Sequence, residues 1–534
     1  MIENEQETDE YTVGMQLIGP PVGPPQTVHN LLQNGLNLDP DKIALQSLVQ
    51  QWSYRELEHA VNRLAGNLLD LGLSPGDRIA SLLPNRIALL IFYMACLRVG
   101  LVAVPLNYRY LAGHIDHALE VSGAILLVAH GERANDLASC KHTSDLRLGI
   151  RWFEHSPTPN AQRLETLIDE AGSDRVLPVP KGSDPCSIFF TSGSTGQPKG
   201  VTHTYASFGA MLTSVVQALE FTHEDVVLPG SSISHLGGYL FSLTALSIGA
   251  KAAVARSLAS VDMIPLLRLT KPTVLCMLPT ALLQLLHQDG LKREDFAALR
   301  LCRGGADKVP AELEREFIAI TGFPIDEGYG MTEIGSATVH PPSGEIRVGS
   351  IGRALPGFKL SIRDEDGREL GPGEEGLLWM QSPTMTAGYW NRPDATAELI
   401  QGGWLNSGDL VTADDDGYLW FRGRKKQIIV HDGSNICPQE VEEALLEHPA
   451  VENAGAIGVH DTLHGENVWA YVTLNSNTSA PDEAELILLA RKLIGYKAPE
   501  HVFFIDEMPL NPTGKVDRVT LKQWALDRHE PHPS

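Results

Sequence analysis

The sequence predicts an α/β protein in which a large N-terminal domain of mainly parallel sheets and helices precedes a small C-terminal α+β domain. Its 534 residues exceed the size of one ordinary domain. Up to about residue 345, short apolar runs alternate with helical patterns, which is typical of βαβ units around a buried parallel sheet. Residues 349–423 alternate short strands with Gly, Pro and Asp turns, which predicts an antiparallel β region. We therefore place the large domain at 26–423 and the small domain at 424–534.

The individual elements follow from local signals. Residues 1–25 are acidic and then rich in Pro and Gly, a composition that buries little apolar surface, so a disordered tail is expected. Ser53 and Glu56 form a capping box, and apolar residues then recur at helical spacing as far as Leu71, which predicts one amphipathic helix. Apolar runs predict buried strands at 78–84, 101–105, 124–129 and 274–278, and helical patterns predict helices at 86–98, 439–447 and 482–494.

Charge and composition exclude several functional classes. Lys plus Arg number 42 and Asp plus Glu 66, so the net charge of −24 opposes binding to nucleic acid or to anionic membrane surfaces. The longest apolar runs are far shorter than the roughly 20 residues that span a bilayer, so no transmembrane segment is expected. The acidic N-terminus does not resemble a secretory signal, and the six cysteines are scattered without metal-ligand spacing. A cytoplasmic protein with reduced thiols is expected.

A loop suited to phosphate follows the strand-like run Ser187–Phe190. Its sequence, TSGSTGQPKG, spans residues 191–200. Glycines allow backbone N–H groups to converge on an anion, hydroxyls add donors, and Lys199 adds positive charge, so the loop could hold a polyphosphate. The spacing of its glycines and lysine differs from that of the P-loop of nucleoside triphosphatases.

This loop resembles the signature of the adenylate-forming enzymes, which include acyl-CoA synthetases, aryl-CoA ligases, carrier-protein adenylation domains and beetle luciferases. The resemblance continues in order through WSYRELEHAVNRLAGNLLDLG, GYGMTE, GYWNRPDATAE, GWLNSGDL, GRKKQII and NPTGKVDR, and so covers nearly the whole chain. It is closest to acyl-CoA and aryl-CoA synthetases. It implies that the small domain turns relative to the large one about a hinge near residues 424–427.

The resemblance assigns ATP or AMP binding to residues in six segments. Tyr329 offers a face for adenine, Thr332 a donor to the α-phosphate, and Glu333 an oxygen ligand for Mg²⁺. Asp409 would hold the ribose hydroxyls, together with Arg424. The full implied set is Thr191, Ser192, Gly193, Ser194, Thr195, Gly196, Lys199, Gly304, Gly305, Ala306, Glu327, Gly328, Tyr329, Gly330, Thr332, Glu333, Asp409, Arg424 and Lys515.

Catalytic and acceptor-side residues are implied in the same way. Lys515 would bridge the attacking carboxylate and the α-phosphate, and Thr195, Glu333 and His235 complete the implied catalytic set. Lys426 matches the hinge position, although Gln427 stands where Asp is frequent in the family. Gly433 matches a glycine beside the path of the CoA pantetheine.

The acyl pocket is expected around His235, where amino-acid-activating relatives generally place an Asp. The expected lining residues are His235, Tyr239, Met277, Gly305 and Ile334. This mostly apolar wall favours a neutral organic acid. Asp307 departs from the small or apolar residues usual at its position and is the one nearby carboxylate that could change this preference.

The sequence therefore predicts an AMP-forming acid–CoA ligase that uses ATP, Mg²⁺, CoA and a small-molecule carboxylic acid. An adenylating enzyme that loads a carrier protein is the nearest alternative, and the lack of a following carrier domain favours CoA. A non-catalytic nucleotide- or acyl-binding protein is the alternative of another class. The motifs are also compatible with a luciferase-like oxygenase, although nothing in the sequence requires one. The oligomeric state stays open, with a homodimer as one alternative.

Overall fold

The fold is known from a computed structural model, which describes residues 16–155, 157–171, 175–191, 198–288, 290–305, 309–432, 434–461, 464–475, 479–512 and 514–529. Four sheets of five or more strands organise this part of the chain. Three belong to the large domain and one to the C-terminal domain. The α/β class and the two-domain organisation expected from the sequence are confirmed.

The first sheet has seven strands, and five of them run parallel. Two further strands extend one edge in antiparallel fashion. In spatial order the strands are Gly388–Tyr389, Lys199–Thr204, Pro185–Thr191, Val102–Pro105, Arg78–Leu82, Leu126–His130 and Ile150–Phe153. Helices in this part of the chain are Tyr54–Asp70, Ile87–Arg98, Ala112–Ser122, Ala134–Ala138, Leu164–Asp169 and Tyr205–Ala218.

The second sheet also has seven strands and is parallel except for one edge hairpin. Its strands in spatial order are Ile325–Glu327, Leu301–Gly304, Val274–Met277, Val226–Gly230, Lys251–Ala253, Ile43–Gln46 and Gln51–Ser53. The accompanying helices are Gln33–Leu38, Leu236–Ser247, Ser260–Thr270, Pro279–Leu286 and Ala311–Thr321. One hydrophobic cluster contains side chains from both parallel sheets, so helices such as Ile87–Arg98 are buried on nearly every face.

The helix predicted after Ser53 is confirmed at Tyr54–Asp70. The Ser53 hydroxyl accepts from the Glu56 backbone N–H, and the Glu56 carboxylate accepts from the Ser53 backbone N–H at 2.7 Å. This reciprocal capping satisfies donors that the first helical turn leaves without partners.

The third sheet is antiparallel, as the turn-rich texture predicts, and has six strands. They are Gln16–Ile18, Lys359–Arg363, Gly376–Gln381, Trp404–Ala413, Ile400–Gln401 and Leu419–Arg424, with helix Pro393–Leu399 beside them. Short two-stranded hairpins also occur at Gly330–Met331 with Gly335–Ser336 and at Thr338–Val339 with Arg353–Ala354.

The tail expected at 1–25 needs correction over residues 16–25, while residues 1–15 lie outside the described part. Gln16–Ile18 forms an edge strand that pairs with Lys359–Ser361. The Pro/Gly-rich stretch then docks on the large domain, since the Gly357 N–H donates to Pro20 O at 2.8 Å and Thr213 Oγ1 donates to Pro24 O at 2.9 Å. These partners lie far along the chain, and composition does not report them.

The C-terminal domain contains the fourth sheet, whose strands are Ile429–His431, Ser434–Ile436, Val451–Asp461, Gly465–Leu474 and His501–Phe504. Helices Pro438–Leu446, Glu483–Ile494 and Arg518–His529 complete it, and two hydrophobic clusters form its core. The helices expected at 439–447 and 482–494 are thereby confirmed. No helix within the described ranges is long and apolar enough to cross a membrane.

Candidate active site

The phosphate-loop segment begins and ends on one antiparallel hairpin of the first sheet. Thr191 and Lys199 are cross-strand partners at its open end. The residues between them, including Ser192, Gly193, Ser194, Thr195 and Gly196, lie outside the described part of the chain. The Lys199 ammonium lies 4.9 Å from the ring centroid of Tyr389. Lys199 was expected to bind phosphate, whereas Tyr389 was not among the expected site residues.

Glu333 lies against the same tyrosine and is buried. The Tyr389 hydroxyl donates to Glu333 Oε1 at 2.8 Å. Burial raises the pKa of Glu333, while the Tyr389 hydrogen bond and the charges of Arg424 and Lys199 act in the opposite direction. A buried carboxylate near two cationic side chains is suited to the metal-bound polyphosphate of a nucleotide, and its hard oxygens fit Mg²⁺.

Tyr329, Asp409 and Arg424 form a second polar group. The Tyr329 hydroxyl donates to Asp409 Oδ2 at 2.6 Å, and Arg424 Nε lies 3.1 Å from Asp409 Oδ1. Asp409 and Arg424 are cross-strand partners in the antiparallel sheet, which explains their proximity. Burial raises the pKa of Asp409, and the charge of Arg424, the Tyr329 hydroxyl and the charge of Lys515 lower it. The C-terminal lysine therefore acts electrostatically on the carboxylate assigned to the ribose.

The glycines beside this group differ in the space around them. A Cβ on Gly328 would lie 2.1 Å from an Arg303 guanidinium nitrogen and 2.6 Å from Thr338 O, so only glycine fits without rearrangement. Arg303 is held there by its ion pair with Asp326, at 3.0 Å. A Cβ on Gly330 would similarly lie 2.4 Å from Gly335 O.

Strand Leu301–Gly304 ends at the expected adenine-side segment. A Cβ on Gly305 would meet no atom of the described residues within 4 Å. Glu327 Oε1 accepts from the Val309 N–H at 2.6 Å, which anchors the chain two residues after Asp307. Ala306 and Asp307 themselves lie outside the described ranges.

His203 positions Thr332, although the sequence did not indicate it. The imidazole is fully buried, and its Nε2 lies 2.8 Å from Thr332 O. Burial lowers the pKa of His203 to about 4, so the ring is neutral and donates to this carbonyl. The hydrogen bond joins the strand that follows the phosphate loop to the GYGMTE segment.

His235 and the loop of the C-terminal lysine share one contact residue, Asn107. The Asn107 amide nitrogen lies 2.6 Å from Pro512 O and 3.0 Å from His235 Nε2, and Asn107 Oδ1 accepts from the Arg109 N–H at 2.9 Å. Because an amide nitrogen only donates, His235 Nε2 is the acceptor and carries no proton. Burial and then the charge of Arg109 lower the pKa of His235 to about 4, which agrees with a neutral ring.

The loop at residues 511–515 is closed by its own backbone. The Asn511 N–H donates to Lys515 O at 2.8 Å, and the Lys515 N–H donates to Asn511 Oδ1 at 3.1 Å. Gly514 adopts φ of 88°, a left-handed conformation that glycine tolerates. The loop thereby presents Pro512 to Asn107 and Lys515 toward Asp409. Thr513 lies outside the described residues.

Three of the other expected pocket residues, Tyr239, Met277 and Ile334, are buried. Tyr239 lies in an aromatic group with Tyr93, Phe189 and Phe208, at ring-centroid distances of 4.9, 5.2 and 5.3 Å. Its hydroxyl has no hydrogen-bond partner among the described residues. Met277 pairs with Gly304 and Gly230 across the second sheet, and Ile334 is fully buried in the main core. Their role as acyl-pocket walls remains a prediction.

The expected hinge is a single 3₁₀ turn, Lys425–Gln427, between the antiparallel sheet and the C-terminal sheet. Lys426 is exposed, and Lys425 Nζ forms an exposed ion pair with Glu365 at 2.8 Å. Gly433, expected near CoA, lies outside the described residues. A pivot at this turn remains a prediction.

Three residues that sequence reasoning missed thus contact the expected site: Asn107, His203 and Tyr389. Tyr389 belongs to a quoted motif, GYWNRPDATAE, and this was the one available signal. Asn107 and His203 act on residues 405 and 129 positions away, and no local pattern announces such contacts.

Comparisons with known proteins agree with this arrangement. The sequence profile of the family described as AMP-binding enzyme matches residues 32–390, and that of the AMP-binding enzyme C-terminal domain matches residues 440–515. A fatty acid–[acyl-carrier-protein] ligase, ScoC, of Streptomyces coeruleorubidus is 31% identical over 482 residues, which cover 88% of this chain and 91% of the relative. A feruloyl-CoA synthase of Amycolatopsis sp is 33% identical over 470 residues, which cover 87% of this chain and 92% of the relative.

Solved structures extend the likeness to the whole fold. ATP-bound MatB from Rhodopseudomonas palustris is 28% identical and has a TM-score of 0.85, with 94% of this chain and 100% of that chain covered. The apo form of the same protein, at the same coverage and identity, has a TM-score of 0.74. Both family profiles and these alignments confirm the resemblance drawn from the motifs, and the chain belongs to the AMP-binding enzyme family of adenylate-forming proteins.

Proposed function

We propose that the protein is an AMP-forming acid–thiol ligase that converts a carboxylic acid into its CoA thioester through an acyl-adenylate. The contact between Asn107 and Pro512 carries this proposal, because it docks the Lys515 loop on the large domain beside His235. In the same arrangement Lys515 acts on Asp409, the carboxylate assigned to the ribose. The ammonium is thereby directed to the region where a nucleotide and an acyl group would meet.

In the first step a carboxylate oxygen of the acid attacks the α-phosphorus of ATP, and pyrophosphate leaves. Lys515 neutralises negative charge that develops between the two reacting groups. Asp409, oriented by Tyr329 and Arg424, accepts the ribose hydroxyls. Glu333 would hold Mg²⁺, which supplies charge neutralisation to the polyphosphate when bound.

In the second step the small domain turns about Lys426, and the CoA sulfur attacks the acyl carbonyl with AMP as leaving group. AMP leaves far more readily than oxide would, and this is the reason for activating the acid first. The higher TM-score against the ATP-bound form of MatB than against its apo form supports assigning the present arrangement to the first step.

The substrate we infer is an acid without a charge near its carboxyl group. His235 is neutral, and its Nε2 is already engaged by Asn107, so this residue offers no anionic partner to a substrate ammonium. Burying an ammonium without a partner costs several kcal/mol in general. The naming of a related feruloyl-CoA synthase and of related long-chain-fatty-acid–CoA ligases is consistent with aromatic or aliphatic acids.

Transfer to a carrier protein is the second candidate, and the ScoC likeness is the observation that favours it. The two acceptors are distinguished by offering CoA and a phosphopantetheinylated carrier protein in competition, with a panel of acids and ATP. Thioester formed on CoA alone supports the proposal. Thioester formed only on the carrier protein would replace it with the second candidate.

Substrate charge is tested on matched acids with and without an α-amino group, in the wild type and in Asp307→Ala. We expect activation only of the acids that lack the amino group. A preference for the amino acid that disappears in Asp307→Ala would assign the protein to the amino-acid-activating branch. A cytoplasmic location and a homodimer remain predictions of the sequence.

A further inference from the structure

Two histidines and an aspartate meet in the C-terminal domain, away from the residues assigned to ATP. His431 ends strand Ile429–His431, Asp432 follows it in a left-handed conformation with φ of 50°, and His464 precedes strand Gly465–Leu474. The Asp432 N–H donates to His464 O at 2.9 Å, so the two turns are tied together by their backbones. The two imidazoles stack with centroids 5.1 Å apart.

A hydrogen bond to the neighbouring strand orients the His431 ring. His431 Nδ1 lies 2.7 Å from the backbone carbonyl of Glu466, so Nδ1 carries a proton and donates it. In the neutral ring Nε2 then bears a lone pair. This atom faces acceptors, since Asp432 Oδ2 lies at 3.7 Å and Glu500 Oε1 at 3.5 Å. A cation bound among these three atoms would be held by one nitrogen and two oxygens.

The spacing of His431 Nε2 from two carboxylate oxygens fits a tetrahedral metal. Zinc bonds of about 2.1 Å to nitrogen and oxygen place neighbouring ligand atoms about 3.4 Å apart. The two separations from His431 Nε2 to carboxylate oxygens, 3.7 and 3.5 Å, are close to this spacing, whereas His464 Nδ1 donates a hydrogen bond to Asp432 Oδ1 at 2.8 Å that a bound metal would replace. One ligand atom from each of His431, Asp432 and His464 lies within 4.8 Å of the other two. Small side-chain rotations would close the site.

The groups around His431, Asp432 and His464 also favour a metal ion of the zinc type. Proteins orient a metal-binding histidine through its second ring nitrogen, which donates a hydrogen bond to an acceptor such as a backbone carbonyl. Asp461 Oδ1 accepts the His464 N–H at 2.9 Å and adds negative charge beside the site. Imidazole ligands select zinc and similar late transition metals, whereas Mg²⁺ prefers oxygen alone.

We propose that His431, Asp432 and His464 form a binding site for one divalent cation of the zinc type, with Glu500 as a further ligand. The site is separate from the Mg²⁺ position proposed at Glu333. Because Gly433 directly follows Asp432, a bound cation would hold the segment that the proposed function brings to CoA in the second step.

The test uses the full-length protein, freed of any affinity tag, stripped with a chelator and kept in excess Mg²⁺. Co²⁺ is titrated, and its visible absorption reports nitrogen ligation; Zn²⁺ is then added in competition. We expect one equivalent of Co²⁺ that Zn²⁺ displaces, and at least about tenfold weaker binding in His464→Ala and in Asp432→Asn. His460→Ala, which removes an exposed histidine of the adjacent strand, should bind as the wild type does.

Absence of saturable binding in the wild type would overturn the proposal, and so would equal binding in His464→Ala. Near-ultraviolet circular dichroism checks that each variant is folded, and both altered side chains are largely exposed. The binding readout is independent of catalysis, so failure of the CoA ligase proposal would leave it unchanged. As the functional readout, Zn²⁺ should slow thioester formation from synthetic acyl-adenylate in the wild type and not in His464→Ala.

Discussion

At the scale of single residues, the site is organised around two buried carboxylates, Glu333 and Asp409. Each has a pKa raised by burial and a tyrosine hydroxyl as donor. Burying charge is unfavourable for folding unless cations compensate it. On the proposed function, a bound nucleotide and its metal would compensate this charge, and the protein alone is less stable for it.

Glu333→Gln should raise the melting temperature of the ligand-free protein at pH 7 while it strongly reduces adenylation. A raised folded-state pKa means that the unfolded chain ionises first, so the native state loses stability as pH rises above the usual glutamate pKa of about 4.3. The amide removes this penalty and still accepts from Tyr389. Thermal unfolding of both proteins is compared between pH 4 and pH 7.

The stabilisation by Glu333→Gln should shrink toward pH 4, where the carboxyl group is protonated in both states. Glu398→Gln, which alters an exposed carboxylate, is the matched control and should change little. A melting temperature of Glu333→Gln below that of the wild type at pH 7 would contradict the assigned electrostatics.

Lys515→Ala should reduce ATP–pyrophosphate exchange by about 10²-fold or more, the scale expected when one preorganised electrostatic donor is removed. The side chain is only half-buried, so the fold should be unaffected. Supplied with synthetic acyl-adenylate and CoA, the variant should still form thioester. Equal loss in both half-reactions would show that Lys515 does not act in adenylation alone.

Asn107→Asp should reduce adenylation by about fivefold or more, since each lost hydrogen bond contributes roughly 1 kcal/mol. The isosteric carboxylate keeps the acceptor for the Arg109 N–H and loses the donor to Pro512 and His235. Thioester formation from synthetic adenylate should be unchanged, which a general structural defect would not spare. A parallel loss of both steps would reject Asn107 as the docking residue of the Lys515 loop.

At the scale of elements, sequence patterns predicted the helices and strands whose formation depends on residues close together in the chain. The helix after Ser53 follows from a capping box and an apolar stripe, and the strand at 274–277 follows from an apolar run. The strand Gln16–Ile18 could not be foreseen, because its order comes from pairing with residues more than 300 positions later. The motifs likewise located Tyr329, Asp409 and Arg424 individually, and the sheet register that joins the last two became visible only in the fold.

Leu17→Ala should destabilise the protein by about 2–3 kcal/mol, the lower part of the range for a buried leucine, because its edge strand can partly relax. Leu17 is 6% exposed, whereas its neighbour Ile18 is 66% exposed. Ile18→Ala is therefore the control and should stay within about 0.5 kcal/mol of the wild type. Denaturant unfolding followed by intrinsic fluorescence measures both, and equal effects would show that the strand does not pack as described.

At the scale of the whole molecule, one short turn links the two domains covalently, and the contacts between them include the Asn107–Pro512 hydrogen bond and the Arg315–Glu447 ion pair at 3.8 Å. Lys425–Gln427 provides the covalent link, and the Asn107 side chain donates to Pro512 O. Rotation of the small domain would change the backbone dihedral angles of Lys425–Gln427. It would also break the hydrogen bond between Asn107 and Pro512.

Lys426→Pro should lower thioester formation far more than adenylation. Proline fixes φ near −65°, a value that a 3₁₀ turn already uses, so the present arrangement is retained and rotation away from it is hindered. Lys426→Ala removes the same side chain and leaves the backbone free, so it is the control. Half-reaction rates distinguish the outcomes, and unchanged overall turnover in Lys426→Pro would move the pivot elsewhere.

The crowding at Gly328 also has a consequence for how this sequence can change over generations. A side chain there meets two obstacles, the Arg303 guanidinium at 2.1 Å and the Thr338 carbonyl at 2.6 Å. The first could be removed by a prior substitution at Arg303, but that would remove the ion pair between Arg303 and buried Asp326. The second is main chain, which no substitution deletes. Gly328 therefore cannot be replaced by successive single substitutions. Homologues with another residue at this position should have a different backbone conformation around residue 338.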